Sequence, residues 1–252
     1  MKLIRLTTLR IFALANALTF TAAVAQPFTA TYDFAQVNTS SGTTDPTPPP
    51  NAAGVTFSPF SSTGMSANPN AGARFSFTSQ PLGGVNTVDD FSQFTGSLTP
   101  TAYFEVTITP LTLIQLQLDS IAFTMQRSGT GVRSYAVRSS LDGYAANLTA
   151  SISTANANLG VGPGNEFRVL LDSVTTAQNG SFVTLGTPFV GLTAPVSVRY
   201  YGWNAEGTGG TFSVDNVVFS GRTDNIPEPS ATVLVLGSLT ALGFRQQHRR
   251  KA

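Results

Sequence analysis

The sequence of 252 residues contains no cysteine, and its single histidine, His248, lies close to the C-terminal end. Without cysteine the chain has no disulfide framework, iron–sulfur cluster or thiol nucleophile. The lack of histidine elsewhere excludes a Ser-His-Asp triad in the body of the chain and makes a zinc site improbable. The body must therefore be held together by burial of a hydrophobic core alone.

Basic residues are also scarce in the body. Between Gln26 and Glu228 there is no lysine, and seven arginines stand against thirteen acidic residues, a net charge of −6, although the whole chain is +1. Nucleic-acid binding requires a cationic surface for the phosphates. We therefore expect no nucleic-acid partner.

Positive charge is concentrated at the two ends of the chain. The first ten residues contain three basic side chains and no acidic one, and residues 11–24 are mostly apolar without an amphipathic period. Ala23 and Ala25 place small residues at the two positions that signal peptidase reads. Residues 1–25 are thus predicted to be a signal peptide that directs the chain to the Sec translocon. Cleavage by signal peptidase would leave Gln26 as the first residue.

The C-terminal end has three consecutive parts. Pro227-Glu228-Pro229 precedes an apolar run from Ser230 to Phe244. A helix over 231–244 would be about 21 Å long, shorter than the roughly 30 Å of a hydrocarbon core, so it predicts a marginal, temporary membrane anchor. A helix packed on the body is disfavoured because the run is apolar on every face. The basic end, which would hold the chain on the cytoplasmic side of the membrane, comprises Arg245, Arg249, Arg250 and Lys251.

This three-part pattern resembles the PEP-CTERM sorting signal of exported proteins of Gram-negative bacteria. The resemblance covers residues 227–252 only. It implies recognition by an exosortase, a membrane-embedded cysteine protease that processes its substrates at the Pro-Glu-Pro motif. It also implies a link to extracellular polysaccharide and biofilm, and a final location at the cell surface or outside the cell.

The body, residues 26–226, shows the period-two alternation of β-strands. The clearest case is Ile114–Leu118, where apolar and polar residues alternate, and the pattern resumes at Ile121 after a phase shift near Asp119 that indicates a bulge. The remaining predicted strands are residues 28–34, 73–79, 103–108, 133–139, 148–152, 167–171, 182–185, 196–203 and 212–219.

Many short strands separated by turn residues, with no helical period in the body, predict a single all-β domain. We expect a jelly-roll-like antiparallel β-sandwich, flanked by the signal helix and the short membrane helix. A Pro-rich surface loop is expected over 40–51. Residues 127–144 and 210–221 resemble strand segments of the β-sandwich that often precedes such sorting signals, which implies the fold and no activity.

Two pairs of residues are candidates for ligand contact. Tyr201 and Trp203 share one strand face and could stack on sugar rings, although burial in the core is the favoured interpretation. Asp215 and Asn216 lie inside a predicted strand, where both residue types are disfavoured. A bulge or a hydrogen-bonded network is favoured there over a structural calcium ion. No other metal and no organic cofactor is expected.

Three hypotheses for the function follow. The first is a non-enzymatic surface or extracellular-matrix protein, delivered through exosortase processing. The second is a carbohydrate-binding module. The third is a polysaccharide hydrolase or lyase, which would need two convergent carboxylates; the glutamates available in the body for that role are Glu105, Glu166 and Glu206.

Overall fold

The computed structural model describes residues 25–67 and 71–226. The predicted membrane helix and all of the signal peptide except Ala25 lie outside these ranges. Within them, no helix is long and apolar enough to cross a membrane. The helices that the described residues form are single 3-10 turns at Phe91–Gln93, Ser140–Asp142, Pro163–Asn165 and Thr187–Phe189.

The described residues form two antiparallel sheets of seven strands each. In the first sheet, β5 (Phe75–Thr78) and β1 (Gln26–Tyr32) pair with successive parts of β14 (Phe212–Asn225). Its strands, in spatial order, are β4 (Ser66–Ala67), β5 (Phe75–Thr78), β14 (Phe212–Asn225), β7 (Ile114–Arg127), β12 (Gln178–Thr184) and β9 (Thr149–Ile152), together with β1 (Gln26–Tyr32).

The second sheet is built in the same way, with β2 (Val55–Phe57) and β3 (Ser61–Thr63) pairing with successive parts of β6 (Tyr103–Pro110). Its strands, in spatial order, are β10 (Leu159–Gly162), β11 (Glu166–Val169), β8 (Ser134–Ser139), β13 (Val196–Trp203), β6 (Tyr103–Pro110) and β2 (Val55–Phe57), together with β3 (Ser61–Thr63). The all-β prediction and the two-sheet sandwich are confirmed. The jelly-roll assignment stays a prediction.

The long strand β7 shows why apolar–polar alternation predicts the buried face correctly. Leu116 and Leu118 are buried, and burial resumes at Ile121 after a one-residue shift. Opposite it in β14, Ser220 pairs with Ser120 and Gly221 pairs with Leu118, so that Asp119 is the extra residue of a bulge. The bulge restores the apolar side chains to the inner face. The bulge predicted near Asp119 is therefore confirmed.

Aromatic rings fill much of the space between the sheets. Phe104 and Phe212 stack at 5.2 Å, and Tyr135 and Phe167 stack at 5.0 Å. All four residues are almost completely buried, and the hydroxyl of Tyr135 hydrogen-bonds the Oγ of Ser181 at 2.9 Å. This aromatic core provides the cohesion that a chain without disulfides requires.

A second, smaller core lies on the outer face of the second sheet. Ala136, Tyr201 and Trp203 are buried there, packed against the partly buried Leu98 and against Tyr103 of the neighbouring strand β6. The connection from β5 to β6, residues 79–102, runs over this face and is termed the cover segment below. It contains the 3-10 turn Phe91–Gln93 and is otherwise irregular. The cover segment thus buries part of the outer face of the second sheet.

Both ends of the described chain lie at one end of the sandwich. Gln26 of β1 pairs with Thr223 of β14, and the amide of Ile226 donates to the carbonyl of Leu113 at 2.7 Å. Leu113 lies in the turn between β6 and β7. We call this region, which comprises Gln26, residues 111–114 and residues 223–226, the terminal end of the sandwich.

Candidate functional site

Most residues of the predicted sorting signals lie outside the described ranges: Ala23, Pro227, Glu228, Pro229, Arg245, Arg249, Arg250 and Lys251. Ala25 and Gln26 are described and exposed, and β1 begins at Gln26. At the other end, β14 extends to Asn225. The folded body therefore begins at the predicted cleavage site and ends next to the Pro-Glu-Pro motif.

Tyr201 and Trp203 do share one face of β13, as the alternation predicted, but they do not form an open sugar platform. Trp203 is only 6% exposed and Tyr201 is buried. The reason is the cover segment, whose Leu98 packs against them. A short-range strand pattern cannot reveal that a distant loop closes over the face.

Asp215 and Asn216 lie at a second bulge. Asp215 pairs with Thr124 and Val218 pairs with Ala122, so two residues of β14 oppose one of β7. Asn216 has a φ of 46°, and its backbone N–H donates to Oδ1 of Asp215 at 2.7 Å. Burial raises the pKa of Asp215, helped by the charge of Asp33. Among the described residues there is no cluster of His, Cys, Asp and Glu side chains that could hold a metal ion.

The open half of the same sheet face carries a stack that the sequence analysis did not identify. The guanidinium of Arg199 lies 3.8 Å from the ring centres of both Tyr103 and Tyr144. Its Nε donates to Oε2 of Glu105 at 2.5 Å, and the Tyr144 hydroxyl donates to the same oxygen at 3.2 Å. All four side chains are partly exposed. We call this group the tyrosine–arginine patch.

The patch depends on a turn in an unusual conformation. Tyr144 has a φ of 62°, which is costly for a side chain other than glycine or asparagine. Arg138 holds the turn, since its Nη1 donates to the carbonyl of Tyr144 at 2.9 Å and its Nε to Oδ1 of Asn147 at 2.7 Å. Burial is the largest cause that raises the pKa of the Tyr144 hydroxyl, and the charge of Glu105 adds to it. The ring is therefore neutral and fixed in place at neutral pH.

A buried ionic cluster lies where β7 ends, β8 begins and β13 ends. Arg127 donates to Oε2 of Glu206 at 2.8 Å, and Arg133 donates to Oε1 at 3.2 Å, with all three side chains fully buried. Asp172, which is 19% exposed, contacts both arginines. Two guanidinium groups and two carboxyl groups thus meet inside the fold.

The ionic cluster also fastens the cover segment. Arg133 donates to the carbonyl of Val88 at 2.8 Å and to Oδ1 of Asp89 at 3.1 Å. Its guanidinium lies 5.5 and 5.3 Å from the ring centres of Phe91 and Phe94. Because guanidinium–ring attraction and hydrogen bonds act on the same group, Arg133 links the sheet to the segment that buries Trp203.

The two carboxyl groups of the ionic cluster have opposite pKa shifts. Burial, followed by the hydrogen bond with Asp172, raises the pKa of Glu206 to about 7. Burial alone would raise the pKa of Asp172 too, but hydrogen bonds from Glu206, the Thr87 amide and Arg127 outweigh it and lower that pKa. Of the two carboxyl groups, Glu206 is therefore the one that binds a proton as the pH falls below about 7.

The three glutamates considered for hydrolysis do not converge. Glu105 pairs with Arg199, Glu166 pairs with Arg168, and Glu206 is enclosed by arginines. A glycosidase needs one carboxyl to donate a proton and a second to act on the opposite side of the same sugar bond. Glu206 has the raised pKa of an acid, but its side chain has no contact with solvent. The geometry does not assemble that reaction.

No protein-family model and no curated protein matches the chain. Among solved structures, the K3 cleaved adhesin domain of Lys-gingipain from Porphyromonas gingivalis w83 is similar over 77% of this chain and 99% of its own, with 14% identity and a TM-score of 0.34. The K1 cleaved adhesin domain of the same protein is similar over 76% of this chain and 97% of the K1 chain, with 16% identity and a TM-score of 0.32. Similarities at this level identify neither a family nor a function.

Proposed function

We propose that the chain is a non-enzymatic surface or extracellular-matrix protein, exported with a signal peptide and sorted through its C-terminal signal. The observation that carries this proposal is the position of the motif. The last strand, β14, ends at Asn225, and Pro227-Glu228-Pro229 follows after a single residue. The prolines disfavour a helix at the motif, which suits a protease that binds an extended substrate just outside a folded body.

The proposed route follows from the order of the segments. The Sec translocon exports the chain, and signal peptidase cuts after Ala25. The apolar run and the basic end hold the product in the inner membrane until an exosortase-type protease acts at Glu228. The jelly-roll-like body then remains at the cell surface or in the extracellular matrix, in association with extracellular polysaccharide and biofilm.

A lack of assembled chemistry supports the non-enzymatic part of the proposal. In the described residues, Glu105, Glu166 and Glu206 are each paired with arginine, at separate places. The body carries no cysteine or histidine that could act in their stead. The buried ionic cluster around Glu206 instead holds the cover segment in place through Arg133.

The test is a membrane-fraction immunoblot in a strain with an active exosortase. Replacing Pro227-Glu228-Pro229 with three alanines should leave translocation intact and block processing, so that a membrane-retained form with its basic end accumulates. The matched control is Gln246→Ala with Gln247→Ala, which alters the tail but keeps the motif and every positive charge. Maturation of the triple-alanine variant at the wild-type rate would show that the motif is not the processing site.

A second candidate function, carbohydrate binding, is favoured by one observation. The tyrosine–arginine patch presents partly exposed Tyr103 and Tyr144 beside the charged groups of Arg199 and Glu105. Aromatic faces next to hydrogen-bonding groups are what a sugar-binding surface requires. In this proposal the sugar binds on the open half of the sheet face, next to the smaller core that contains Trp203.

A further inference from the structure

The terminal end of the sandwich exposes large apolar side chains. Leu111 and Leu113, in the turn between β6 and β7, are 48% and 47% exposed. Of the chain segments that meet there, residues 52–55, 108–115 and 192–196 contain no charged residue. Residues 223–226 contain one, Asp224, whose carboxylate lies 3.9 Å from the guanidinium of Arg222. Such a surface is poorly suited to water and is well suited to an apolar partner.

The stability of the fold does not explain the choice of Leu113. Its φ of 62° lies in the left-handed region, where glycine, asparagine and aspartate are favoured in turns. Leucine at this position combines backbone strain with exposure of its apolar side chain. Asparagine would reduce both costs, so the leucine indicates a contact that the isolated body does not contain.

The location of the chain ends indicates what that partner is. Ile226 hydrogen-bonds Leu113, and Gln26 pairs with Thr223 at the same end of the sandwich. The C-terminal apolar run begins at Ser230, and residues 227–230 can reach at most about 14 Å however they are arranged. On the other side, the apolar run of residues 11–24 ends just before Gln26. Both apolar segments of the chain are thus tethered close to Leu111 and Leu113.

We propose that the terminal end of the sandwich is a membrane-contacting surface, with Leu111 and Leu113 inserted at the boundary between lipid headgroups and acyl chains. The proposal rests on the proposed function, in which residues 230–244 anchor the unprocessed protein. Insertion at this depth buries apolar side chains without crossing the bilayer. Because the segments at this end carry no cluster of lysine or arginine, the contact should not require anionic lipids.

The experiment uses the absence of cysteine from the chain. Leu111→Cys provides a unique labelling site in residues 26–252, the form without the signal peptide and with the C-terminal signal retained. This protein is labelled with a polarity-sensitive fluorophore and reconstituted into phosphatidylcholine vesicles. The matched control is Leu82→Cys. Leu82 is 50% exposed and bridges Ala205, which follows the end of β13 that lies away from the terminal end.

The probe at position 111 should shift to shorter wavelength and be quenched by lipids brominated at the top of the acyl chains. The probe at position 82 should show neither effect. Adding Leu113→Asn to the Leu111→Cys protein should reduce the quenching while the body stays folded. Vesicles that contain phosphatidylglycerol should give the same result as phosphatidylcholine alone.

Flotation of the vesicles separates failure of this inference from failure of the proposed function. If the protein does not float with the vesicles, the anchoring function is wrong and the inference falls with it. If the protein floats but the two probes behave alike, the anchor is real and the inferred surface is wrong. Quenching that survives Leu113→Asn unchanged would show proximity without insertion, which also overturns the inference.

Discussion

Arg133 and Glu206 form an ion pair in which Nη1 and Oε1 are 3.2 Å apart and both side chains are fully buried. Burying two charges is costly, and the cost is offset only if the remaining hydrogen-bonding capacity is used. Arg133 meets this condition, since it also donates to the backbone carbonyls of Val88, Val169 and Leu170. One arginine therefore ties the cover segment to β11 and to the loop that follows this strand.

Arg133→Ala should lower the free energy of unfolding by about 3–5 kcal/mol, because it leaves the buried carboxyl of Glu206 with a single cationic partner. Urea denaturation of residues 26–226 measures the change. Arg222→Ala is the control, since its side chain is 46% exposed, and it should change the free energy of unfolding by no more than about 0.5 kcal/mol. Equal effects of the two substitutions would contradict the structural role of the ionic cluster.

Glu206 makes the stability of the body depend on pH. Its pKa is raised from 4.5 to about 7 in the folded state, so the folded protein holds a proton that the unfolded chain releases. Its contribution to stability is fully present below about pH 4.5 and is lost as the pH rises through about 7. Asp172, whose pKa is lowered, acts in the opposite direction, at pH values below its ordinary value of 3.8.

Between pH 5 and pH 8, the urea midpoint of the wild type should therefore fall, and Glu206→Gln should reduce that fall. Glutamine keeps the shape of the protonated carboxyl but cannot ionise. Burial also raises the pKa values of Asp45 and Asp215, which therefore act in the same direction as Glu206. The same pH slope in the wild type and the variant would rule out Glu206 as the titrating group.

The sequence predicts the strands well where alternation is long, as in β7, and poorly where strands are short. β2 and β3 have three residues each and β4 has two, which is too few for a period to be visible. The alternation in β7 is enough to predict that Arg127 is buried, because Arg127 continues the inward positions of Phe123 and Met125. The ion-pair partners of Arg127 could not be predicted in this way, since Asp172 and Glu206 come from distant parts of the chain.

The candidate site shows the same division. The shared face of Tyr201 and Trp203 follows from alternation, whereas their burial depends on a long irregular segment without a periodic pattern. The stack on Arg199 needs Tyr144 in a left-handed conformation, which its residue type disfavours. Local propensity therefore predicts against the geometry that forms the tyrosine–arginine patch.

Leu116→Asp should unfold the body, because Leu116 is completely buried on the inner face of β7 and an ionised carboxylate there would have no partner. Circular dichroism and urea denaturation of residues 26–226 measure the loss of structure. Gln115→Asp, one residue earlier on the exposed face, should remain folded. A stable Leu116→Asp variant would show that this face is not part of the core.

Tyr144→Ala tests the tyrosine–arginine patch as a carbohydrate-binding surface. If the ring of Tyr144 stacks on a sugar, retention on immobilised extracellular polysaccharide should be lost while the body stays folded. Arg199 would still pair with Glu105 and contact Tyr103, so the strands remain connected. Unchanged retention would remove the patch as the binding surface. Affinity electrophoresis in gels that contain the polysaccharide compares the retention of the folded Tyr144→Ala variant with that of the wild type.

Trp203→Ala should instead be a stability variant. Because Trp203 is buried against Ala136, Tyr201 and Leu98, we expect a loss of about 3–5 kcal/mol in the free energy of unfolding. Leu98→Ala should also destabilise, and the double variant should cost less than the sum of the two, because both substitutions remove the same contact. Strict additivity would mean that the cover segment does not pack on Trp203. A stable Trp203→Ala protein that no longer binds polysaccharide would show that Trp203, and not Tyr144, belongs to the sugar-binding surface.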